Sequence, residues 1–204
     1  MWALVESNNV TKVYTRPKAI TIGDVNYPSN IFMLWSSSEL EAIGIYEIVI
    51  DDSNFKNKEY YINTDQSFAF ADGPVTATYG TATALPLDDI LFTAQNETDG
   101  LGTEGDVKQV GIRQGHIDRI NAQAGGILQS TDWMVVRAAE GGTAVPSSIT
   151  TKRAAVRTKA NAMCTAIDNA ANVDALAALY VYSNTGTESD PVYTRPLGEL
   201  PTVD

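Results

Sequence analysis

Apolar and polar residues alternate along the first eighty positions, and after Leu87 the spacing turns helical. WALVE at 2–6 and TKVYT at 11–15 flank SNNV, a pattern that predicts a hairpin with Asn8 and Asn9 in the turn. Pro17 ends the second strand. AITIG predicts another strand, and GDVNYPSN after it reads as turn-rich. Ser36 to Ser38 ahead of Glu39 predict a capped short helix with Leu40 and Ile43 on its buried side. IYEIVID predicts a strand. EYYINTDQSFAFAD predicts a hairpin turning at Asn63 to Gln66, with Phe68 and Phe70 on one face. VTATYGTATAL is a strand or an extended link between the two halves of the chain.

Beyond Leu87, DDILFTAQ predicts a helix start, and QNETDGLGTEGDV at 95–107 reads as an acidic, glycine-rich loop. Val110, Ile117, Ile120, Ala124 and Ile127 recur at helical spacing. Thr131-Asp132 and Gly141-Gly142 bracket a short helix, DWMVVRAAE. After Pro146 a longer helix carries Val156, Ala160, Met163, Ile167 and Ala170 as its stripe, and Asn172 caps a last short helix. SNTGTESDP and TRPLGELP then read as an extended tail. The expected fold class is α+β: a β-rich domain at 1–82, a helical domain at 83–182 and an extended C-terminal arm at 183–204.

The 25 acidic and 14 basic side chains give a net charge of -11, which disfavours a nucleic-acid partner. No stretch approaches the roughly 20 apolar residues of a membrane span, so no membrane partner is expected. The opening MWALVESNN lacks the basic and apolar regions of a signal peptide. Cys164 stands alone, which fits a reducing compartment and leaves no internal disulfide or cysteine metal cage.

Candidate chemistry is sparse. Aligned on Gly100, a calcium loop would draw on Gln95, Glu97, Asp99 and Asp106, but its first ligand would be an amide, and a solvated loop accounts better for these residues. His116 is the single histidine and reads as a partly exposed helical residue. Cys164 has no nearby base and reads as a small core residue. The carboxylate pairs Asp51-Asp52, Asp88-Asp89 and Glu39 with Glu41 suit the acidic composition without defining a cleft. Neither phosphate-binding glycine pattern is present. Neither a catalytic residue, a cofactor nor a metal is expected, and the chain is read as a non-enzyme. Trp133, Arg137 and Glu140 are read as structural anchors, with Trp133 in the core and Arg137 paired with Glu140 at its edge. Trp2, Trp35, Tyr60 and Tyr61 could offer stacking surfaces to a glycan, though core packing explains them better.

LQSTDWMVVRAAEGGTAVPSSITTKRAAVRT resembles a segment found in tail-fibre and tail-fibre-assembly proteins of tailed bacteriophages. The shared pieces are Leu128, Thr131, Asp132, Trp133, Arg137, Glu140, Gly142, Pro146, Arg153 and Arg157. Lys152 departs from the pattern, where an aromatic residue is usual. The opening, MWALVE through VYTRPKAITIGDVNYPSNIFMLW, resembles uncharacterised virion or tail proteins of marine phages. The resemblance implies a tail component: a fibre, a fibre adaptor or a small baseplate protein, assembled in the host cytoplasm and carried in the virion. A tail-fibre assembly chaperone and a host-glycan-binding module are the alternatives. Other phage tail proteins are the implied partners. A homo-oligomer of threefold or ring symmetry is expected, chiefly by analogy with symmetric tails; the seam-like stripes of the two longer helices suit it, and suit an intrachain helical hairpin equally.

VYTRP occurs twice, at Val13 to Pro17 and at Val192 to Pro196. Val13, Tyr14 and Arg16 in the first copy, and Val192, Tyr193 and Arg195 in the second, are the interaction candidates. The second copy is expected to dock on a sheet edge, with Tyr193 as anchor and Arg195 as a charge contact.

Overall fold

Ser7 and Asn8 both take positive φ, 50° and 63°, and so close the first hairpin of the computed structural model, which describes residues 1–71 and 73–203. Two successive residues at positive φ match the twist of the paired strands. The turn sits one residue earlier than the asparagine pair suggests, because Asn9 already pairs with Glu6. The fold is α+β, a β-rich N-terminal region followed by a helical C-terminal region and a tail. The chain divides into two compact units, Met1–Thr83 and Ala84–Asp204.

In the first unit, β1 (Trp2–Glu6), β2 (Asn9–Tyr14), β5 (Ile45–Asp51), β7 (Gln66–Phe70) and β8 (Val75–Tyr79) form one sheet in the order β2-β1-β5-β8-β7. The β5–β8 pair is parallel and the others are antiparallel. The sheet is apolar on both faces. Ala3, Ile48, Val75 and Ala77 build one cluster with Val10, Val13, Phe68 and Phe70 against it. Leu4, Tyr14, Phe32, Leu40 and Ile45 build the other. β3 (Ile20–Ile22) and β4 (Val25–Tyr27) form a hairpin beside that second cluster, to which α1 (Ile31–Leu34) and α2 (Ser37–Glu41) contribute Ile31, Phe32 and Leu40. β6 (Tyr61–Ile62) is short, and β9 (Thr83–Ala84) lies at the boundary between the units.

A bulge brings Val10 and Val13 of β2 to one face. Leu4 pairs with Lys12 and Val5 with Val10, which leaves Thr11 as the extra residue. Val10 and Val13 are three apart and would point to opposite faces of a regular strand. With Thr11 bulged, both join the same cluster, while Tyr14 turns to the other. The α2 start follows the sequence: Ser36 accepts from the Glu39 backbone N–H, and the Glu39 carboxylate accepts from the Ser36 backbone N–H at 2.8 Å. These bonds hold the Glu39 carboxyl below the usual carboxylate range. The turn-rich segment 23–30 has turns at 23–24 and 29–30 around a short strand, Val25–Tyr27, that pairs with Ile20–Ile22. One expectation fails here. β7 takes β8 as its hairpin partner, not the strand before it.

In the second unit, β10 (Ile90–Leu91) pairs with β11 (Val107–Gln109) across α3 (Ala94–Thr98). The stretch expected to begin a helix is thus a strand, and the helix starts only after the Thr93 cap. α4 (Ile112–Gln129) and α6 (Ser147–Asp168) pack as a hairpin, with α5 (Asp132–Ala139) between them and α7 (Val173–Ala178) after. His116, Ile120 and Ala124 of α4 are buried, as are Val156, Ala160, Met163 and Ile167 of α6. Both stripes are used within one chain. Val110, expected on the α4 stripe, precedes the helix and is exposed.

The start of α4 has no side-chain cap. The Gly111 N–H donates to Asp89 Oδ1 at 2.7 Å, and the next two N–H groups reach the carbonyls of Pro86 and Leu87 at 3.0 and 2.9 Å. A Cβ at position 111 would stand 2.3 Å from the Asp88 carbonyl carbon, so glycine is required there. Arg113 then bonds Asp88 and reaches the far end of α6, donating to the carbonyls of Ile167 (2.7 Å), Asp168 and Ala170 (3.1 Å). At the opposite end, Arg153 of α6 donates to the Leu128 carbonyl (2.7 Å), the Thr131 hydroxyl (2.6 Å) and Asp132 (2.7 Å). Each arginine closes the C-terminus of the other helix, where orphan carbonyls and the negative dipole end collect.

Replacing Arg153 by Met leaves the buried Thr131 hydroxyl without its charged partner and is expected to lower stability by about 2–3 kcal/mol in denaturant unfolding. The Arg113 hydrogen bond holds the Asp88 carboxyl below its ordinary value. A depressed carboxylate stabilises above its unfolded pKa, and that contribution is lost as pH falls through the folded value. The stability gap between wild type and Asp88→Asn is therefore expected to be full near pH 7 and to close below about pH 4, as read by melts across that range.

Candidate contact surface on the helical unit

α5 is an eight-residue helix with sequence DWMVVRAA, and none of its residues is buried. A helix carrying Trp, Met and two valines ordinarily hides one side. Here Trp133 and Val136 are each 55% exposed, and Val135 is exposed as well. The sequence places Trp133 in the core, and the structure corrects this. Trp133 lies outside because the side of α5 turned inward is the narrow one of Met134 and Ala138, both half-buried.

The helix is nevertheless well fixed. Asp132 in its first turn bonds Arg153, and Gly141 at φ 82° ends it. The Gly142 N–H donates to the Arg137 carbonyl at 2.9 Å. A Cβ on Gly142 would stand 2.8 Å from both that oxygen and Arg137 Cγ, so the turn closes tightly on the Arg137 stem. The Arg137 guanidinium lies 4.9 Å from the Trp133 ring centre, a stack of about 0.5–1 kcal/mol at an exposed site. The expected pairing of Arg137 with Glu140 is absent: among the described residues no such ion pair forms. The stack takes its place, and Arg137 Nε is buried without a hydrogen-bond partner. Beside α5, Val135, Val145, Thr150, Arg153 and Arg157 line a groove of about 280 Å³. Trp133 and the Arg137 edge, with Val136 beside them, therefore form a firmly held patch whose Trp and Arg are the types enriched at protein contacts.

The two VYTRP copies have different surroundings. Val13 is half-buried against the first cluster. Tyr14 is 2% exposed, 5.8 Å from the Phe32 ring, with the Lys12 and Lys18 ammonium groups over its own ring. Burial, then Glu6, pushes its hydroxyl pKa up. Arg16 is exposed. In the second copy, β13 (Tyr193–Thr194) pairs with β12 (Ser183–Asn184), so the arm folds back on itself. Val192 is exposed and Tyr193 is 65% exposed. Leu197 and Val203 are buried in its stead, and the Leu197 N–H donates to the Leu179 carbonyl at 3.0 Å. Arg195 bonds Glu199 at 2.8 Å and stacks over Tyr180 and Tyr182. Tyr182 donates to the same carboxylate, which raises its own pKa.

Tyr180 also meets the one histidine: its hydroxyl lies 2.9 Å from His116 Nδ1. His116 is 2% exposed, not the partly exposed residue its position suggests. The Cys164 thiol is half-buried and its pKa is raised, chiefly by burial and then by Asp168, the wrong direction for a nucleophile. The expected loop at 95–107 begins as helix: Gln95 and Glu97 lie on α3, where Gln95 bonds Asp99 at 2.8 Å, and the Glu104 N–H donates to Glu97 at 3.2 Å. Among the described residues no group of three or more His, Cys, Asp or Glu converges on a metal position, and no helix is long and apolar enough to cross a membrane. Trp2 and Trp35 line one cavity in the first unit, and Tyr60 and Tyr61 are not among its lining residues.

No protein-family model matches the chain, and no curated protein or solved structure is similar to it at a significant level.

Because Trp133 buries little in this chain, Trp133→Ala is expected to change stability by no more than about 0.5–1 kcal/mol. Leu197→Ala is expected to cost about 2–4 kcal/mol, and Tyr193→Ala to stay near neutral. Equilibrium unfolding of the three variants orders them, and a large loss at Tyr193 would reinstate it as the arm's anchor.

Proposed function

We propose that the chain is a structural component of a bacteriophage tail, a fibre, fibre adaptor or small baseplate protein, acting through protein–protein contacts made by α5. The observation that carries this reading is a firmly held helix with no buried residue and an exposed Trp133. It lies inside the segment, 128–158, that resembles phage tail-fibre proteins. An exposed aromatic and arginine patch on a rigid support favours contact with another folded protein. The net charge of -11 keeps such a protein off packaged DNA while leaving its apolar patches available. Its partners are other tail proteins, and further copies of itself where the tail is symmetric. The α4 and α6 stripes pack on each other, so self-association would use surfaces other than that seam.

A tail-fibre assembly chaperone is the second reading. It draws on the same surface, since an exposed apolar helix suits a transient client as well as a permanent neighbour.

Mass spectrometry of purified particles against host lysate separates the two. The tail-component reading expects the chain in washed particles at a fixed ratio to other tail proteins. Recovery from lysate alone would sink it in favour of the chaperone. A Trp133→Ala, Val136→Asp double variant is expected to fold normally and to lose at least about tenfold in incorporation. Unchanged incorporation would remove α5 from the interface.

A further inference from the structure

The first unit holds a cavity of about 190 Å³ lined by the aromatic rings of Trp2, Phe32 and Trp35, the aliphatic Leu40 and Ile45, and two polar residues, Ser37 and Glu47. Trp2 and Glu47 are Cα partners on β1 and β5, so indole and carboxylate project from the same face of the sheet. The aromatic wall is fixed from behind. Phe32 packs on Trp2 with ring centres 4.8 Å apart. Tyr27 meets Trp35 edge-on at 5.8 Å and 83°. Among the described residues, the Glu47 carboxylate has neither a hydrogen-bond nor an ion-pair partner. Lys12 and Lys18 of the same unit lie over the Tyr14 ring instead, at 5.7 and 5.3 Å.

A carboxylate without a counter-ion in an aromatic cavity selects for positive charge. Ring faces attract a cation through their quadrupole, and the Glu47 carboxylate, exposed at the edge of the cavity, adds a Coulomb attraction. The volume lies below the roughly 300–1,000 Å³ of drug-sized sites, so it admits one small head group and not an oligosaccharide. A primary ammonium could bond Glu47 and Ser37, but it is a compact, strongly hydrated charge that gives up water to reach the rings. A quaternary ammonium brings none and presents only methyl groups to the rings. We propose that this cavity binds a trimethylammonium group, with Trp2 and Trp35 as its walls and Glu47 as its counter-charge.

The chain has three tryptophans, Trp2, Trp35 and Trp133, which makes the test internally controlled. The indole N–H resonances of the full chain are followed by NMR during titration with choline chloride and, separately, with Nε-trimethyllysine. Trp133→Phe identifies the control resonance. The expected result is a saturable shift of the other two indoles, with Kd on the order of 1–10 mM for at least one probe and no movement of Trp133. Binding by choline alone identifies a free head group as the source, and binding by trimethyllysine alone a modified side chain. Glu47→Gln is expected to weaken binding about three- to fivefold with the melting temperature unchanged. The proposal is overturned if neither probe shifts the two indoles saturably. It is also overturned if neutral 3,3-dimethylbutanol binds as tightly as choline, if glucose binds in its place, or if Glu47→Gln binds as well as wild type.

Discussion

Two arginines exchange helix ends. Arg113 leaves the first turn of α4 to close the carbonyls at the end of α6, and Arg153 leaves the first half of α6 to close the end of α4. The arrangement forces an antiparallel hairpin and fixes its register, because each guanidinium reaches only one turn of the opposite helix. It also sets what lies beyond each end. Asp88 on one guanidinium ties down the segment that caps α4, and Asp132 on the other aims α5. The apolar stripes between the arginines supply the burial, but they would tolerate a slip of one turn that the two clamps do not.

α5 shows what that fixation permits. A short helix with no fully buried residue should fray, since isolated helices of this length are marginal in water. This one is held at both ends by groups outside its own hydrophobic pattern, the Arg153–Asp132 bond and the Gly141–Gly142 turn. The Trp133–Arg137 stack adds less than about 1 kcal/mol along its length. An exposed apolar face can then persist without collapsing onto the rest of the unit. In the sheet, the Thr11 bulge answers a comparable conflict, letting two valines three residues apart enter one cluster.

Much of the architecture is legible in local patterns. The β1–β2 hairpin, the Ser36 capping box, the β5 strand, the α6 start after Pro146 and the Asn172 cap all follow from short-range chemistry. The parts that are not legible depend on distant partners. β7 pairs forward because β8 lies parallel to β5, a crossover that no window of ten residues reveals. Ile90 and Leu91 become a strand only through Val107 to Gln109. Trp133 and Arg137 are visible as an i, i+4 pair, but exposure is a property of the whole unit, and a tryptophan's composition argues for the core. The paired pentapeptides make the same point at its sharpest. Identical residues leave Tyr14 at 2% exposure and Tyr193 at 65%, because Phe32 packs on the first and, among the described residues, no aromatic ring packs on the second.

The buried residues of the arm, Leu197 and Val203, bear on how the helical unit comes into being. α4, α6 and α7 can pair as they emerge from the ribosome, yet two of the unit's buried aliphatic side chains arrive well after them. Until then the surface they cover is open to water and to other chains. The unit thus acquires its last protected surface only after synthesis has passed position 203, and a nascent or cleaved form lacking the arm would display apolar area that the folded unit conceals. That interval is when self-association in the wrong geometry is easiest.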